Sequence, residues 1–324
     1  MTGLLRVFLA IGTALAGFSA PGWAQDYPVK SVRIIVPLAA GGGTDVVARV
    51  IAEKLGERLR QNVIVENRPG AEGLIGVDAA AKSAPDGYTI VFGSSTTMAA
   101  IASLYSKLPF DPVKDFVPVA KALDNAWNVL LVPASHPANN MRELLALARA
   151  KPGQLNYGAG TSSSKICIEM LKVMAGVNIT LVPYKTSTQS LSDLAGGRVQ
   201  LVCEPVGTAM QQVKSGKVRA IGVTAPAPIA EAPGVPTVAE SAGVPGYQHS
   251  SWLAFFAPAG TSRNIVERLS AELISILKQP EMVARMKTLG FDVVTAGPEE
   301  LGALQIATVA KYAKVIKDAG IVPQ

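Results

Sequence analysis

Short apolar runs alternate along this chain with longer segments whose apolar residues return every three or four positions. The runs at residues 32–37, 62–66 and 89–93 predict strands, and the spacing between residues 47 and 59 predicts a helix. Glycine and proline stand at most of the joins. Strands that alternate with helices in this way predict an α/β fold, with mainly parallel sheets flanked by helices on both faces.

The same alternation continues to the end of the chain, with helices expected at residues 141–150 and 298–318 and a buried strand at 251–258. Two irregular crossings, near residues 123–128 and 246–250, are the candidate hinges. They predict one lobe formed by residues 26–125 plus 249–324 and a second lobe formed by residues 126–248. Two α/β lobes joined by two crossings enclose a cleft, and hinge closure of such a cleft around a ligand is a recurrent motion.

The first 25 residues differ from the rest in composition. Residues 4–20 are almost wholly apolar, with Arg6 near the start, and the small residues Gly22 and Ala24 follow. This pattern is typical of a secretory signal peptide, and it predicts cleavage near residue 25 and a periplasmic protein. A retained membrane anchor is the alternative, although Pro21 and Gly22 interrupt the run near the minimum length that spans a bilayer.

Composition excludes several classes of function. The chain of 324 residues has a formal charge of +6, or +5 without the single arginine of residues 1–25. A mildly basic surface attracts anions, but the chain has no run of five Lys or Arg and only 6% aromatic residues, so we expect no nucleic-acid partner. Two cysteines and two histidines predict no metal site. An oxidising compartment permits a disulfide between Cys167 and Cys203, and the sequence leaves their pairing open.

Four loops rich in glycine and hydroxyl residues follow predicted strands, at residues 39–45, 94–97, 158–164 and 186–188. Where such a loop leads into a helix, unpaired N–H groups and the helix dipole attract an anion without a cationic side chain. Ligands of open α/β sheets bind at this edge. The alternative for each loop is a solvated turn, with Thr44 as the cap of the first long helix. No complete nucleotide-binding motif is present, so we expect no cofactor.

An enzyme is the competing hypothesis. Ser162-Ser163-Ser164-Lys165 forms an S-x-x-K tetrad, the arrangement that supplies nucleophile and base in serine acyl-transfer enzymes. The partner motif S-x-N is missing from the sequence between this tetrad and Lys214-Ser215-Gly216, and that later segment reads as the end of a helix. His136 and His249 have no acid in an orienting position, which disfavours a Ser-His-Asp triad.

Longer segments resemble one family along the whole length that follows the signal peptide. They include VRIIVPLAAGGGTDVVARVIAEKL, VIVENRPGAEG, APDGYTI, LPFDPVKDFVPVA, KPGQLNYGAG, LAGGRVQL, GKVRAIGVTAPA and VPTVAESAGVPGY. In this order they resemble the Bug family, the TctC-like extracytoplasmic solute receptors of tripartite tricarboxylate transporters. The resemblance implies a two-lobed type II periplasmic-binding fold that closes over a small organic acid, delivered by a monomer to membrane transporter subunits or to a sensor.

The resemblance also implies which residues touch the ligand. Carried over residue by residue, they are Ala40, Gly41, Gly42, Gly43, Asp45, Ser94 and Ser95 in the first lobe, and Gly160, Thr161, Ser162, Ser163, Thr186, Ser187, Thr188 and Glu204 in the second. The chain departs from the family pattern at four positions. Glu72 and Thr186 stand where glycine is common, Lys165 stands where histidine is common, and Glu204 stands where the family commonly has Asp.

Overall fold

The computed structural model describes residues 27–125, 127–318, 320 and 323. The predicted signal peptide therefore lies outside the described residues. The first part of the chain forms the greater share of one lobe. Its elements are β1 (Val32–Val36), α1 (Gly43–Leu59), β2 (Val63–Asn67), α2 (Leu74–Ala81), β3 (Thr89–Ser94), α3 (Ile101–Leu104) and β4 (Phe116–Asn125).

The middle of the chain forms the other lobe, and the last part returns to the first. The second lobe contains β5 (Asn128–Pro133), α4 (Met141–Ala150), β6 (Asn156–Ala159), α5 (Ser162–Ala175), β7 (Thr180–Pro183), α6 (Ser187–Ala195), β8 (Leu201–Pro205), α7 (Val206–Lys214), β9 (Val218–Val223) and α8 (Val238–Ser241). The returning segment contains β10 (Ser251–Pro258), α9 (Arg263–Leu277), α10 (Pro280–Thr288), β11 (Phe291–Ala296) and α11 (Pro298–Asp318).

Each lobe is built on one sheet. The first sheet has the strand order β11-β4-β10-β3-β1-β2, and the second has the order β7-β6-β8-β5-β9. The predicted two-lobed α/β fold is confirmed, since four of the six described strands of the first sheet and four of the five of the second run in one direction. Strands β1, β2 and β3 run parallel, whereas β10 is antiparallel to both β3 and β4, and β5 is antiparallel to both β8 and β9. The strands that carry the chain between the lobes thus enter each sheet in the opposite direction.

The two predicted crossings have different outcomes. The segment near residues 123–128 is largely strand, since β4 continues to Asn125 and β5 begins at Asn128. The segment at residues 246–250 is irregular, as predicted. The predicted lobe boundaries at residues 125 and 248 stay predictions.

Alternating side chains of each sheet pack on helices at both faces. In β1, Ile34 belongs to an apolar cluster with α1, α9 and α10, while its neighbour Ile35 belongs to a cluster with α2, α3 and α11. In β5, Val129 packs with α6 and α7, and Leu130 packs toward α4 and α5. The cluster that contains Ile35 and Leu130 therefore runs through both lobes, which joins them by a continuous apolar core.

Candidate functional site

In the first lobe, the loop after β1 leads into the start of α1 without a side-chain cap. The N-cap residue is Gly42, in an extended conformation with φ −76° and ψ 165°, and it has no side chain that could accept a hydrogen bond. Thr44, predicted as the cap, lies inside the first turn, so that prediction is wrong. Because the first N–H groups of a helix have no intrahelical partner, this glycine cap leaves backbone donors free at an exposed loop.

Asp45 gives this loop its shape. Its carboxylate is 3% exposed and accepts hydrogen bonds from Gly41 N–H at 2.8 Å and from Arg49 Nε at 3.2 Å. Burial opposes ionisation, but these hydrogen bonds outweigh it and hold the pKa of Asp45 below its usual value. Asp45 therefore positions the loop, and the Gly41 amide is already used. The donors that remain are those at the beginning of α1.

Ser94 and Ser95 end β3 beside this loop but face different surroundings. Ser94 N–H donates to Thr97 Oγ1 at 2.9 Å, at a partly buried position. The hydroxyl of Ser95 is 1% exposed and lies 2.8 Å from the hydroxyl of Ser251. Both were predicted as ligand-binding residues, and the structure buries the Ser95 side chain inside the lobe.

In the second lobe, the corresponding helix α5 begins with four consecutive hydroxyl residues that all have protein partners. Thr161 is the N-cap and accepts from Ser164 N–H at 3.1 Å, while the Ser164 hydroxyl donates to the carbonyl of Cys203 at 2.7 Å. The Ser162 hydroxyl donates to the carboxylate of Glu72, and Ser163 Oγ lies 3.1 Å from His249 Nε2. The sequence pattern located this cluster but not the partner of each hydroxyl.

A second helix start packs directly against the first. Thr186 is the N-cap of α6 and accepts from Gln189 N–H at 3.3 Å, and Thr188 is exposed. A Cβ atom built on Gly160 would lie 2.2 Å from the carbonyl carbon of Thr186, so only glycine fits there. The two loops therefore form one continuous edge. The segment 186–188 was predicted as a loop ahead of a helix that begins at residue 190, but it is the cap and first turn of α6.

Glu204 of β8 lies at this edge as a buried acid, with one oxygen unpartnered within the described part of the chain. It is 3% exposed, and its Oε1 has no hydrogen-bond partner among the described residues. Burial raises the pKa of Glu204 to about 7, and a hydrogen bond with the Ser187 hydroxyl lowers it by a smaller amount. A carboxyl group in this state carries a proton for part of the time near neutral pH, so it can either donate or accept a hydrogen bond.

A disulfide holds this edge together. Cys167 of α5 and Cys203 of β8 are bonded, with their Cα atoms 6.5 Å apart. The Ser164 hydroxyl joins the same two elements through the Cys203 carbonyl. The sequence left the pairing open, because it does not show how close α5 lies to β8.

The two lobes touch along the cleft. The turn that carries Glu72 packs on the loop after β1, since a Cβ atom built on Gly73 would lie 3.3 Å from the Pro37 carbonyl oxygen, and the same turn contacts Ser162 of α5. Nearby, a Cβ atom on Gly207 of α7 would lie 3.5 Å from Gly290 Cα, next to the start of β11. The uncapped start of α1 and the hydroxyl edge of the second lobe therefore both lie near the boundary at which the lobes meet.

His249 anchors the returning chain at this boundary. It is 2% exposed, and its backbone carbonyl accepts from the Thr224 hydroxyl at 2.6 Å. Burial, aided by the positive charge of Lys311, lowers the pKa of His249 to about 3, so the ring is neutral. The sequence pointed to His249 as a metal ligand or a catalytic group to be weighed, and gave no sign of its contact with Ser163. Glu72 was noticed only as a departure from glycine.

The described residues offer little support for other kinds of site. Lys165 makes no hydrogen bond to Ser162 within the described ranges, so the S-x-x-K spacing does not form a nucleophile–base pair there. In the same part of the chain, no group of three or more His, Cys, Asp or Glu residues is placed to hold a metal ion. None of the helices found there has the length and apolarity needed to cross a bilayer.

Comparisons with known proteins agree on one family. Residues 47–321 match the family described as tripartite tricarboxylate transporter family receptor. Protein BugT of Bordetella pertussis is 34% identical over 99% of this chain and 98% of its own length. The structure of R. palustris Rpa4515 with adipate superposes with a TM-score of 0.85 at 34% identity, covering 92% of this chain and 100% of that one. MatC from Rhodopseudomonas palustris with bound malate gives a TM-score of 0.80 at 31% identity, covering 90% and 100%.

Proposed function

Since this chain belongs to the family of tripartite tricarboxylate transporter receptors, we propose that it captures a small carboxylated organic acid between its lobes. The family and its solved members are solute receptors and not enzymes, so the chain is a receptor, and the serine acyl-transfer alternative built on Ser162 and Lys165 is set aside. Two similar proteins of solved structure carry adipate and malate, which supports a carboxylate as the ligand.

The observation that best supports this proposal is the start of α1. Its N-cap is a glycine, so the positive end of a 17-residue helix and its unpaired amides face the cleft without a side-chain cap. A carboxylate bound there is stabilised by backbone N–H groups, and no buried cation has to be neutralised when the ligand leaves. Gly42, Gly43 and the adjacent Ala40 contact the ligand in this proposal. Asp45 and Gly41 hold the loop in place.

The second lobe completes the site on closure. In this proposal the part of the ligand that lies away from α1 contacts cleft-facing groups of the second lobe. These groups belong to Gly160, Thr161, Ser162, Ser163, Thr186, Ser187, Thr188 and Glu204. Ser94 lines the first lobe, and Ser95 supports it from inside through Ser251. The buried and unpaired Oε1 of Glu204 is the polar atom in this group that most needs a partner.

The setting follows from the same proposal. The receptor is exported by the signal peptide of residues 1–25, is cleaved near residue 25 and acts in the periplasm as a monomer. It delivers its ligand to membrane transporter subunits or to a sensor protein. The family assignment supports the transporter as partner.

The test is a thermal-shift screen of the exported protein against aliphatic and aromatic mono- and dicarboxylates, followed by calorimetric titration of each hit. A specific ligand at 100 times its dissociation constant adds about 2.7 kcal/mol to the free energy of unfolding. We expect stabilisation by at least one acid and none by the matching methyl esters or amides that lack every carboxylate. Equal stabilisation by acids and esters, or by no acid at all, would contradict the proposal.

A further inference from the structure

Glu72 brings a carboxylate of the chain itself into the cleft. It belongs to the first lobe, in the turn between β2 and α2, and it accepts a hydrogen bond from the hydroxyl of Ser162 in the second lobe. Ser162 is 5% exposed and lies in the first turn of α5. The α5 end of the cleft is therefore already in contact with an anion.

The backbone holds Glu72 in this position although its conformation is unfavourable. Ala71 and Glu72 have φ values of 46° and 56°, in the left-handed region that costs free energy for any residue with a Cβ atom. Tyr105 fixes the turn because its hydroxyl donates to the Ala71 carbonyl at 3.1 Å. Strain of this kind persists where the surrounding structure determines a position, and here it directs an acid toward the other lobe.

The second lobe presents a further acid, Glu204, which has no ion-pair partner among the described residues. Glu204 is 3% exposed with an unpartnered Oε1, and it follows directly after Cys203, which is tied to α5 through the disulfide and Ser164. Lys165, one turn into α5, makes no ion pair among the residues that the structure describes. The distal side of the cleft therefore has two carboxylate acceptors besides its hydroxyls, whereas the α1 side has backbone donors.

We propose that Glu72 is a specificity-determining residue, which selects acids that have one carboxylate and an uncharged distal end that can donate a hydrogen bond. The proposal rests on the proposed function, because it divides the roles of the two sides of the same cleft. A single carboxylate binds at α1, and an amide or hydroxyl at the other end of the ligand donates to Glu72.

A second carboxylate on the ligand has two possible arrangements at this end, and both are unfavourable. If Glu72 stays in contact with Ser162, two anions meet in a cleft that loses water on closure, where like charges repel more strongly than in water. If Glu72 swings out, the ligand has to break the Ser162–Glu72 hydrogen bond before it can use the same donor. Either way, Glu72 lowers the affinity for a dianion.

The experiment compares matched ligands on matched proteins. Calorimetric titrations measure the affinity of the wild type and of Glu72→Gln for α,ω-dicarboxylates of four to eight carbons, malate and phthalate, each paired with its monoamide. We expect the wild type to bind the monoamide about tenfold more tightly than the dicarboxylate of the same skeleton. Glu72→Gln, which keeps the size and backbone of residue 72 but removes the charge, is expected to abolish or reverse this preference.

Two control variants isolate the charge at this position. Glu53→Gln changes the same charge at an exposed site on α1 and is expected to keep the wild-type preference. Glu72→Gly removes the charge and the backbone strain at residue 72 and is expected to behave like Glu72→Gln. A change of preference in Glu72→Gly alone would show an effect of the backbone and would overturn the proposal.

The remaining outcomes separate this inference from the proposed function. A wild type that prefers dicarboxylates, with Lys165 as their distal partner, overturns the inference and leaves the receptor intact. So does an unchanged preference in Glu72→Gln. Binding of no acid or monoamide by either protein overturns the proposed function and the inference together.

Discussion

Both sides of the cleft have the same local structure, a strand that runs through a small-residue loop into a helix. They differ in whether the backbone donors at the helix start are free. On the first side α1 is capped by Gly42, so its amides await an external acceptor. On the second side α5 and α6 are capped by Thr161 and Thr186, so part of their donor capacity is satisfied by the protein. One residue at the N-cap decides which helix start is free to bind an anion.

The buried acids of the two sides also differ in how fully the protein supplies their partners. Asp45 is paired with an amide and with Arg49, which holds its pKa below the usual value. Glu204 lacks such partners, and burial raises its pKa to about 7. An acid whose oxygens are already paired organises a loop, whereas the unpartnered Oε1 of Glu204 remains available to a ligand. The comparison therefore predicts a polarised cleft, with the ligand carboxylate at α1 and its donor end at Glu204 and Glu72.

The disulfide links two elements of the second side covalently. We expect its reduction to cause the largest loss of stability among these predictions. Residues 167 and 203 are separated by 36 positions, and a loop of that length gives a stabilisation of about 4 kcal/mol in the chain-entropy account. Urea unfolding of the protein with and without reductant measures the loss. The chain has only these two cysteines, so the reductant acts on one bond. An unchanged unfolding midpoint would contradict the covalent fastening of α5 to β8.

Glu204 makes the stability of the second side depend on pH. Its ordinary pKa of 4.5 rises to about 7 in the folded chain. Between these values the unfolded chain has lost the proton and the folded chain keeps it, so the free energy of unfolding falls as pH rises. Relative to Glu204→Gln, the wild type is expected to lose about 3 kcal/mol between pH 4.5 and pH 8.

The control for this pH dependence is the acid of the first side. Because the folded pKa of Asp45 is lowered from 3.8, its contribution is complete above pH 3.8 and is lost as pH falls through the folded pKa. Asp45→Asn should therefore show the opposite slope, at lower pH. Urea unfolding across pH 3 to 8 measures both. A pH-independent difference for Glu204→Gln would refute the raised pKa of the Glu204 carboxyl.

A pair of glycine substitutions tests how tightly each side is packed. Gly160→Ala places a Cβ atom against the backbone of Thr186 and forces the α5 and α6 loops apart, with an expected loss of about 2 kcal/mol. Gly42→Ala meets only the Ala39 carbonyl oxygen at 3.5 Å, and a loss below about 1 kcal/mol is expected. Chemical denaturation of both variants measures the two losses in the free energy of unfolding. Equal losses would mean that the two sides do not differ in packing.

Sequence patterns were sufficient for much of the fold. The helices Met141–Ala150 and Pro298–Asp318 and the strand Ser251–Pro258 have the predicted bounds, because each has a clear apolar period or an unbroken apolar run. Strand β4 was missed because Lys121 and Asp124 interrupt its apolar pattern, although they form an ion pair at 2.8 Å. The directions of β5 and β10, which run antiparallel to their neighbours, depend on tertiary packing and could not be predicted strand by strand.

The candidate site was predictable in position but not in detail. The four loops do follow strands that are parallel within each sheet, as the pattern indicated. The partner of each hydroxyl was not predictable, because Ser95, Ser163 and Ser164 bond to residues that are distant in sequence. Glu72 is the clearest case, since its contact with Ser162 spans 90 positions and depends on how the two lobes meet.

The central claim, that the uncapped start of α1 holds the ligand carboxylate, is tested most directly by placing a carboxylate there. Gly42→Asp supplies the missing cap, and Ser262→Asp adds the same charge at α9, another helix start without a side-chain cap bond. Calorimetric titration with the acid that binds the wild type is expected to show a loss of affinity of about 30-fold or more for Gly42→Asp. Ser262→Asp should bind as the wild type does. Undiminished binding by Gly42→Asp would contradict the account.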